Sequence, residues 1–242
     1  MVSGELAAGG ANLVLTARRK ERLEDLAQEL AVAHKIRTEV FAADLAQQDA
    51  PQQIFTFTLA KQIEIELVVN NAGFGGYGEF ATAETQRLLD MVQVNCSAVV
   101  HLTRLYLPGM VERRHGDVMI VASLAAFQPV PYNSAYAATK AFDLLFAEGV
   151  AEEVRPFGVR VSALCPGPTT TEFQTVAHQP DRTFRSPEPA DKVARVGLEA
   201  LAEGKSYVIS GTMNKIMKEA QRLAPRSLVA KMAANMMRPH DT

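Results

Sequence analysis

Short apolar runs rich in Val, Ile and Leu alternate along this chain with longer stretches whose apolar positions return every three or four residues. The first kind has the length and β-branching of buried strands, and the second has the period of helices that cover a core. Strands are predicted over Asn12 to Thr16, Thr38 to Ala42, Glu66 to Val69, Asp117 to Ala122, Val159 to Leu164 and Tyr207 to Ile209. Helices are predicted over 19–34, 50–62, 84–112, 134–155 and 190–203. Near-continuous apolar strands separated by helices specify an α/β fold, a doubly wound parallel sheet covered on both faces. Right-handed crossovers then place ligands at the carboxyl ends of the strands. We read 1–210 as this single domain and 211–242 as a C-terminal helical extension of it. The stretch 169–189, rich in Thr, Pro and charge, reads as a long loop, of a length used more often as a lid than left idle.

The chain opens unusually. A doubly wound nucleotide domain starts with a strand, then a glycine-rich turn, then a helix. Here Met1 to Gly10 reads as the end of a helix closed by Gly9-Gly10 and running into the strand at Asn12. A first strand and its phosphate-binding turn are therefore expected to be missing from this sequence.

Composition narrows the function classes. A chain of 242 residues can bury a sizeable core, and 48% hydrophobic with 21% charged residues is ordinary for a soluble globular protein. A net charge of -2 leaves no basic excess to neutralise phosphates, so a nucleic-acid binder is not expected. Cys96 and Cys165 lie far apart, and the histidines His34, His101, His115, His178 and His240 show no ligand spacing. No metal site or disulfide framework is expected, and a reducing, cytoplasmic setting is the default. Neither a signal peptide nor a run of 18 uninterrupted apolar residues is present in the sequence.

The chemistry concentrates in two places. Tyr136 and Lys140 stand four apart in a helical pattern, so both side chains share one face. An ammonium near a phenol favours the phenolate and is expected to lower the tyrosine pKa toward the working range of a general acid–base. Ser123 ends the apolar strand Val118-Met-Ile-Val-Ala, where its hydroxyl can reach the same substrate oxygen. A Tyr and a Lys at this spacing usually decorate an ordinary helix, and the company they keep is what sharpens the signal. Asn95 interrupts an apolar helix, which otherwise reads as a kink or a satisfied core amide. Asn70-Asn71-Ala72-Gly73 follows one strand, and Pro166-Gly167 follows another.

In that order and at those separations, the set resembles the short-chain dehydrogenase/reductase family over about residues 5 to 210. The resemblance implies a Rossmann-like fold and hydride transfer between NADP(H) and a carbonyl or alcohol. It implies that Tyr136 donates or accepts the proton and that Lys140 holds the nicotinamide ribose hydroxyls. Ser123 would orient the substrate oxygen, and Asn95 would support a water relay. Asn71, Ala72 and Gly73 would line the adenosine ribose side, and Asp44 and Leu45 would contact adenine. Pro166, Gly167, Thr169 and Thr171 would touch the nicotinamide amide and phosphates. It further suggests a homodimer or homotetramer formed through the helices at 84–112 and 134–155.

The nicotinamide type is argued from Leu15-Thr16-Ala17-Arg18-Arg19-Lys20. An acid at the end of this strand would bond a ribose 2′-hydroxyl and favour NAD. Ala17 stands there instead, and the guanidinium of Arg18 suits a 2′-phosphate, so NADP(H) is expected. The plainer reading is a basic first helical turn, but cations there oppose the helix dipole and need another reason. The single literal G-x-G-x-x-G, Gly73 to Gly78, is a decoy, because it does not open into a helix. It reads as a loop beside the active site, with Phe74 and Tyr77 near substrate. Phe127, Phe173, Phe184 and His178 are further candidates for a partly apolar substrate site. An alternative function remains: a non-catalytic or cofactor-impaired binding or assembly protein, owing to the missing turn.

The helical tail at 212–238 carries Leu228, Val229, Met232, Ala233 and Met236 beside six cations. One reading is an interfacial helix on an anionic membrane. The preferred one is an extension packed on the body or on a partner subunit, since Met-rich faces pack adaptably.

Overall fold

In the computed structural model, which describes residues 2–177, 179–180 and 186–239 and only the backbone of Arg222, every predicted strand forms within one residue of its expected ends. These are β1 (Leu13–Ala17), β2 (Thr38–Ala42), β3 (Leu67–Asn70), β4 (Gly116–Val121), β5 (Val159–Cys165) and β6 (Tyr207–Ile209). All pairings are parallel, with Val118 opposite Val161 and Ala163 opposite Tyr207. The helices are α1 (Val2–Ala8), α2 (Lys20–His34), α3 (Ala50–Ala60), α4 (Thr85–Val92), α5 (Ala98–Glu112) and α6 (Ser134–Val154), then α7 (Phe173–Val176), α8 (Ala190–Ala202), α9 (Thr212–Arg222) and α10 (Arg226–Met237). The main core is the two-sided burial of β4, whose Val118, Met119 and Ile120 are fully enclosed. That burial explains why strands here read as unbroken apolar runs and not as alternating patterns.

The strands fall into two sheets. One has the order β2-β1, the other β3-β4-β5-β6. Among the described residues no strand joins them, so one edge of β1 and one edge of β3 lack ladder partners. Both edges line a cleft of about 2040 Å³, together with Leu26, Ile54 and Val99. The chain enters β1 from α1 through Gly9 and Gly10, and Gly10 takes φ of +84°, a backbone setting that suits glycine. The architecture therefore has the split that the sequence leads one to expect.

Three expectations need correction. The helix expected over 84–112 is divided by a π-helical turn at Gln93–Ser97, whose wider ring turns Asn95 fully inward. The tail is two helices, because Pro225 cannot continue α9 and instead precedes α10. The long loop contains α7 and an isolated parallel bridge between Thr169 and Glu188.

Unpaired backbone groups on two facing, co-directional edges are the condition under which an added strand is stabilising. An N-terminal extension supplying an apolar strand and a glycine-rich turn is expected to raise the melting temperature by roughly 5 °C or more. The same extension should protect β1 and β3 amides from hydrogen exchange. Unchanged melting and exchange would show that these edges do not accept a strand.

Candidate functional site

The site is assembled where β3, β4 and β5 end. Ser123 follows β4 in an extended conformation, and its hydroxyl accepts a 3.1 Å hydrogen bond from the Ala125 amide, which opens the 3-10 turn Leu124–Phe127. The Leu124 amide bonds the Pro166 carbonyl at 2.8 Å, so the segments carrying Ser123 and Pro166-Gly167 are tied edge to edge. Opposite them, α6 presents Tyr136 and Lys140 on one face, as their spacing predicts.

Lys140 is the most constrained group. Its side chain is buried, and Nζ donates to the Val121 carbonyl at 2.7 Å and to Asp143 Oδ2 at 2.9 Å. The second Asp143 oxygen is buried without a partner among the described residues. Burial raises the Asp143 carboxyl to about 6 against the opposing pull of Lys140. Sequence reasoning missed Asp143. The available signal was an acid inside the apolar run Ala141-Phe-Asp-Leu-Leu, one turn beyond a lysine needed for chemistry.

Tyr136 behaves differently from expectation. Its pKa lies above the ordinary tyrosine value, chiefly because burial disfavours the phenolate. Lys140 and the Ser123 hydroxyl pull it down, as expected, but burial outweighs them and the Asp143 charge adds to the rise. The Lys140 ammonium lies 6.0 Å from the centre of the Tyr136 ring, with its charge shared by Asp143.

Asn95 is a staple, closer to the satisfied core amide than to a kink. Its Oδ1 accepts from the Phe74 amide at 3.1 Å, and its Nδ2 donates to the Phe74 carbonyl and to Thr139 Oγ1, both at 3.0 Å. It holds the loop after β3 against α6. Gly73 favours this close contact, because a Cβ there would stand a tight 3.1 Å from Asn95 Oδ1 and 3.3 Å from Lys140 Nζ, so that those side chains would have to shift by a few tenths of an ångström.

The remaining predicted positions gather around the same cleft. Arg18, Asp44, Leu45, Asn71, Ala72, Gly73, Ser123, Tyr136, Pro166, Gly167, Thr169 and Thr171 all line it. Several already have internal work. Asp44 accepts from the Ala46 amide, Thr169 donates to the Gly167 carbonyl, and Thr171 accepts from the Phe173 amide at the start of α7. Phe127 is not in the cleft wall. It packs at 6.0 Å on Tyr207 and under Lys218, so it belongs to the core and not to a substrate site. His178 and Phe184 lie outside the described residues.

Phe173 of α7 lies over Tyr136 with ring centres 5.2 Å apart. Glu172 beside it pairs with Arg19 at 2.9 Å and Arg22 at 2.8 Å, which ties the start of α7 to the start of α2 and holds its carboxyl below the usual range. Arg18 forms no ion pair among the described residues. Met237 and Met236 of α10 complete one wall, and the Tyr77 hydroxyl donates to the Met237 carbonyl at 2.7 Å.

A parallel α/β sheet carrying a serine at one strand end and a Tyr–Lys pair on the adjoining helix defines a nucleotide-dependent oxidoreductase scaffold. The chain belongs to the short chain dehydrogenase family, whose model matches residues 1–181. The very-long-chain 3-oxoacyl-CoA reductase of Homo sapiens is 32% identical over 238 residues, covering 96% of this chain and 73% of the human protein. The very-long-chain 3-oxoacyl-CoA reductase of Phaeosphaeria nodorum is 30% identical, but the match covers 71% of this chain and 51% of the fungal protein. The chain thus spans between about half and three quarters of these relatives. A short-chain dehydrogenase from Sphingobium yanoikuyae in complex with NADPH has the same fold, with a TM-score of 0.83, 24% identity and coverage of 100% and 92% of the two chains. A 7beta-hydroxysteroid dehydrogenase superposes with a TM-score of 0.85 at 24% identity, over 96% and 90%.

The Asp143 carboxylate opposes the phenolate, so neutralising it should lower the Tyr136 pKa. For Asp143→Asn, a downward shift of the Tyr136 titration is expected. The chain contains no tryptophan, so tyrosinate absorbance near 295 nm, read against Tyr136→Phe, reports this directly. A titration unmoved by Asp143→Asn would show that the carboxylate does not set the phenol.

Proposed function

We propose that this chain interconverts a carbonyl and an alcohol with NADP(H), using Tyr136 as general acid–base. The observation that carries the reading is the juxtaposition of Ser123 and Tyr136 on a cleft that Arg18 also lines, with the buried Lys140 ammonium 6.0 Å from the Tyr136 ring. The residues fit the cofactor at both ends. The glycine at position 73 leaves room beside Lys140, and Arg18 is free for a 2′-phosphate. Arg18 would take that phosphate, Lys140 the nicotinamide ribose, and Asn71, Ala72, Pro166, Gly167, Thr169 and Thr171 the surfaces between. The cofactor supplies or accepts the hydride.

The protein's own contribution is placement and charge. Ser123 and Tyr136 hydrogen-bond the reacting oxygen, and Tyr136 passes it a proton when a carbonyl is reduced. A phenol whose pKa is raised remains protonated at neutral pH, which suits reduction. Phe173 over the tyrosine ring excludes water from the transfer. Phe74, Phe173, Met236 and Met237 give the cleft apolar walls, and the names of the human and fungal relatives agree with an acyl-chain carbonyl as substrate. Assembly into a homo-oligomer through α4, α5 and α6 is supported by the exposure of Leu89, Phe142 and Leu145 on that face.

An assay of NADPH oxidation over a panel of ketones and 3-oxoacyl thioesters tests the reaction. Tyr136→Phe is expected to lower kcat by roughly 10²–10⁴-fold. Equal rates for both proteins would remove the assignment. For the cofactor, Arg18→Ala should raise KM for NADPH by about 10–100-fold and leave NADH unchanged. Equal effects on both would count against a 2′-phosphate contact.

A further inference from the structure

Helix α9 is inside out. The side chains it turns to the body are Asn214, Lys218 and Gln221, of which Lys218 is buried and Asn214 donates to the Ser210 carbonyl at 2.8 Å. Lys218 Nζ sits 3.3 Å from the Tyr207 hydroxyl and over the rings of Phe127 and Tyr207 at 5.7 Å. The opposite face carries Met213, Ile216, Met217 and Leu223, whose exposures are 66%, 57%, 41% and 90%. On α10, Ala233 and Met237 are buried, while Leu228, Met232 and Met236, at successive intervals of four, are exposed. An amphipathic helix normally buries its apolar stripe against the domain. Here the domain takes the polar stripe, so the expected packing of the tail on the body does not account for the apolar one.

Charge selects the occupant. Residues 212–238 carry Lys215, Lys218, Arg222, Arg226, Lys231 and Arg238 against Glu219 alone, a formal net of +5. The whole chain is -2, so everything outside this segment sums to -7. Two copies pairing these faces about a two-fold axis would set one +5 segment against another. An anionic lipid surface attracts both the cations and the apolar stripe. Among the described residues no helix is long and apolar enough to cross a membrane, which leaves lying on the surface as the geometry available to α9 and α10.

We propose that the α9–α10 segment is a docking surface for an anionic lipid bilayer. Met213, Ile216, Met217 and Leu223 enter the boundary between headgroups and acyl chains, with Leu228 and Met232 alongside. Lys215, Arg226 and Lys231 meet the lipid phosphates. The surface is continuous with the cleft, because Met236 is exposed and also lines the cleft that Tyr136 lines. If the acyl-carbonyl reading above holds, this continuity lets a lipid-borne substrate enter the cleft from the bilayer side. Docking itself does not depend on that reading.

The test is flotation of the full chain with phosphatidylcholine vesicles, with and without 30% phosphatidylserine. Wild type is expected to float with the anionic vesicles and to stay in solution with the neutral ones. Ile216→Gln with Leu223→Gln, both exposed and thus tolerable to the fold, should weaken binding at least about tenfold. Lys215→Glu with Lys231→Glu should do the same and remove the salt sensitivity. Circular dichroism melting of each variant confirms that the fold is retained. No binding to anionic vesicles, or equal binding to neutral ones, would overturn the proposal. So would a wild-type assembly that the apolar double variant reduces to smaller species, since a second copy would then cover the face.

Discussion

A single ammonium organises the catalytic end of this protein. Lys140 is buried, and a buried cation without partners is destabilising by several kcal/mol. It must therefore sit where it meets an acceptor, and it finds the Val121 carbonyl at the end of β4 and Asp143 on its own helix. Those two contacts fix how α6 lies on the sheet edge, and so fix Tyr136 one turn away. They also constrain the loop after β3, because a side chain at position 73 would crowd Lys140 and Asn95. By comparison, the exposed pairs of Glu172 with Arg19 and Arg22 are weakened by solvent and screened by salt. They can bias the position of α7 but cannot set the site.

The two ends of the cleft differ in rigidity for the same reason. The end that carries Ser123 and Tyr136 rests on β4, which is buried on both faces and laddered on both edges. The far end rests on β1 and β2, which bury only a small cluster around Ala7, Leu13 and Leu30. Ion pairs of Glu5 with Arg195, and of Glu172 with Arg19 and Arg22, bridge the cleft through solvent-exposed guanidiniums. A unit with few apolar contacts and screened bridges sits at the low end of local stability. Whatever fills the cleft along β1 and β3 must therefore supply order as well as contacts.

The fold was legible because parallel strands buried on both faces leave an unmistakable apolar run, and each lies within a residue of its predicted ends. The split of the sheet was legible too, from a helix-like start that runs into β1 with no strand before it. What the pattern could not show was where a helix changes pitch. The π turn at Asn95 is set by the tertiary demand to reach Phe74 and Thr139; the polar residue in Met91-Val-Gln-Val-Asn marked the place but not the change of pitch. The inversion of α9 was hidden for a related reason. Periodicity reveals that a helix has two faces, but not which one the body takes. Tyr136 shows the limit for electrostatics: spacing gave the partner, Lys140, while the sign of the net shift came from burial and from Asp143.

Glu172 changes what the basic turn at the start of α2 implies. Cations in the first turn of α2 oppose the helix dipole, and that conflict suggested a phosphate. Glu172 now gives Arg19 and Arg22 a partner, so these two no longer need a ligand to explain them. What remains is Arg18, which forms no ion pair among the described residues, and Ala17, the residue that ends β1 where an acid would select the 2′-hydroxyl. Three guanidiniums, Arg18, Arg19 and Arg22, against the single carboxylate of Glu172 leave this turn net positive, the sign that the 2′-phosphate of the proposed cofactor requires.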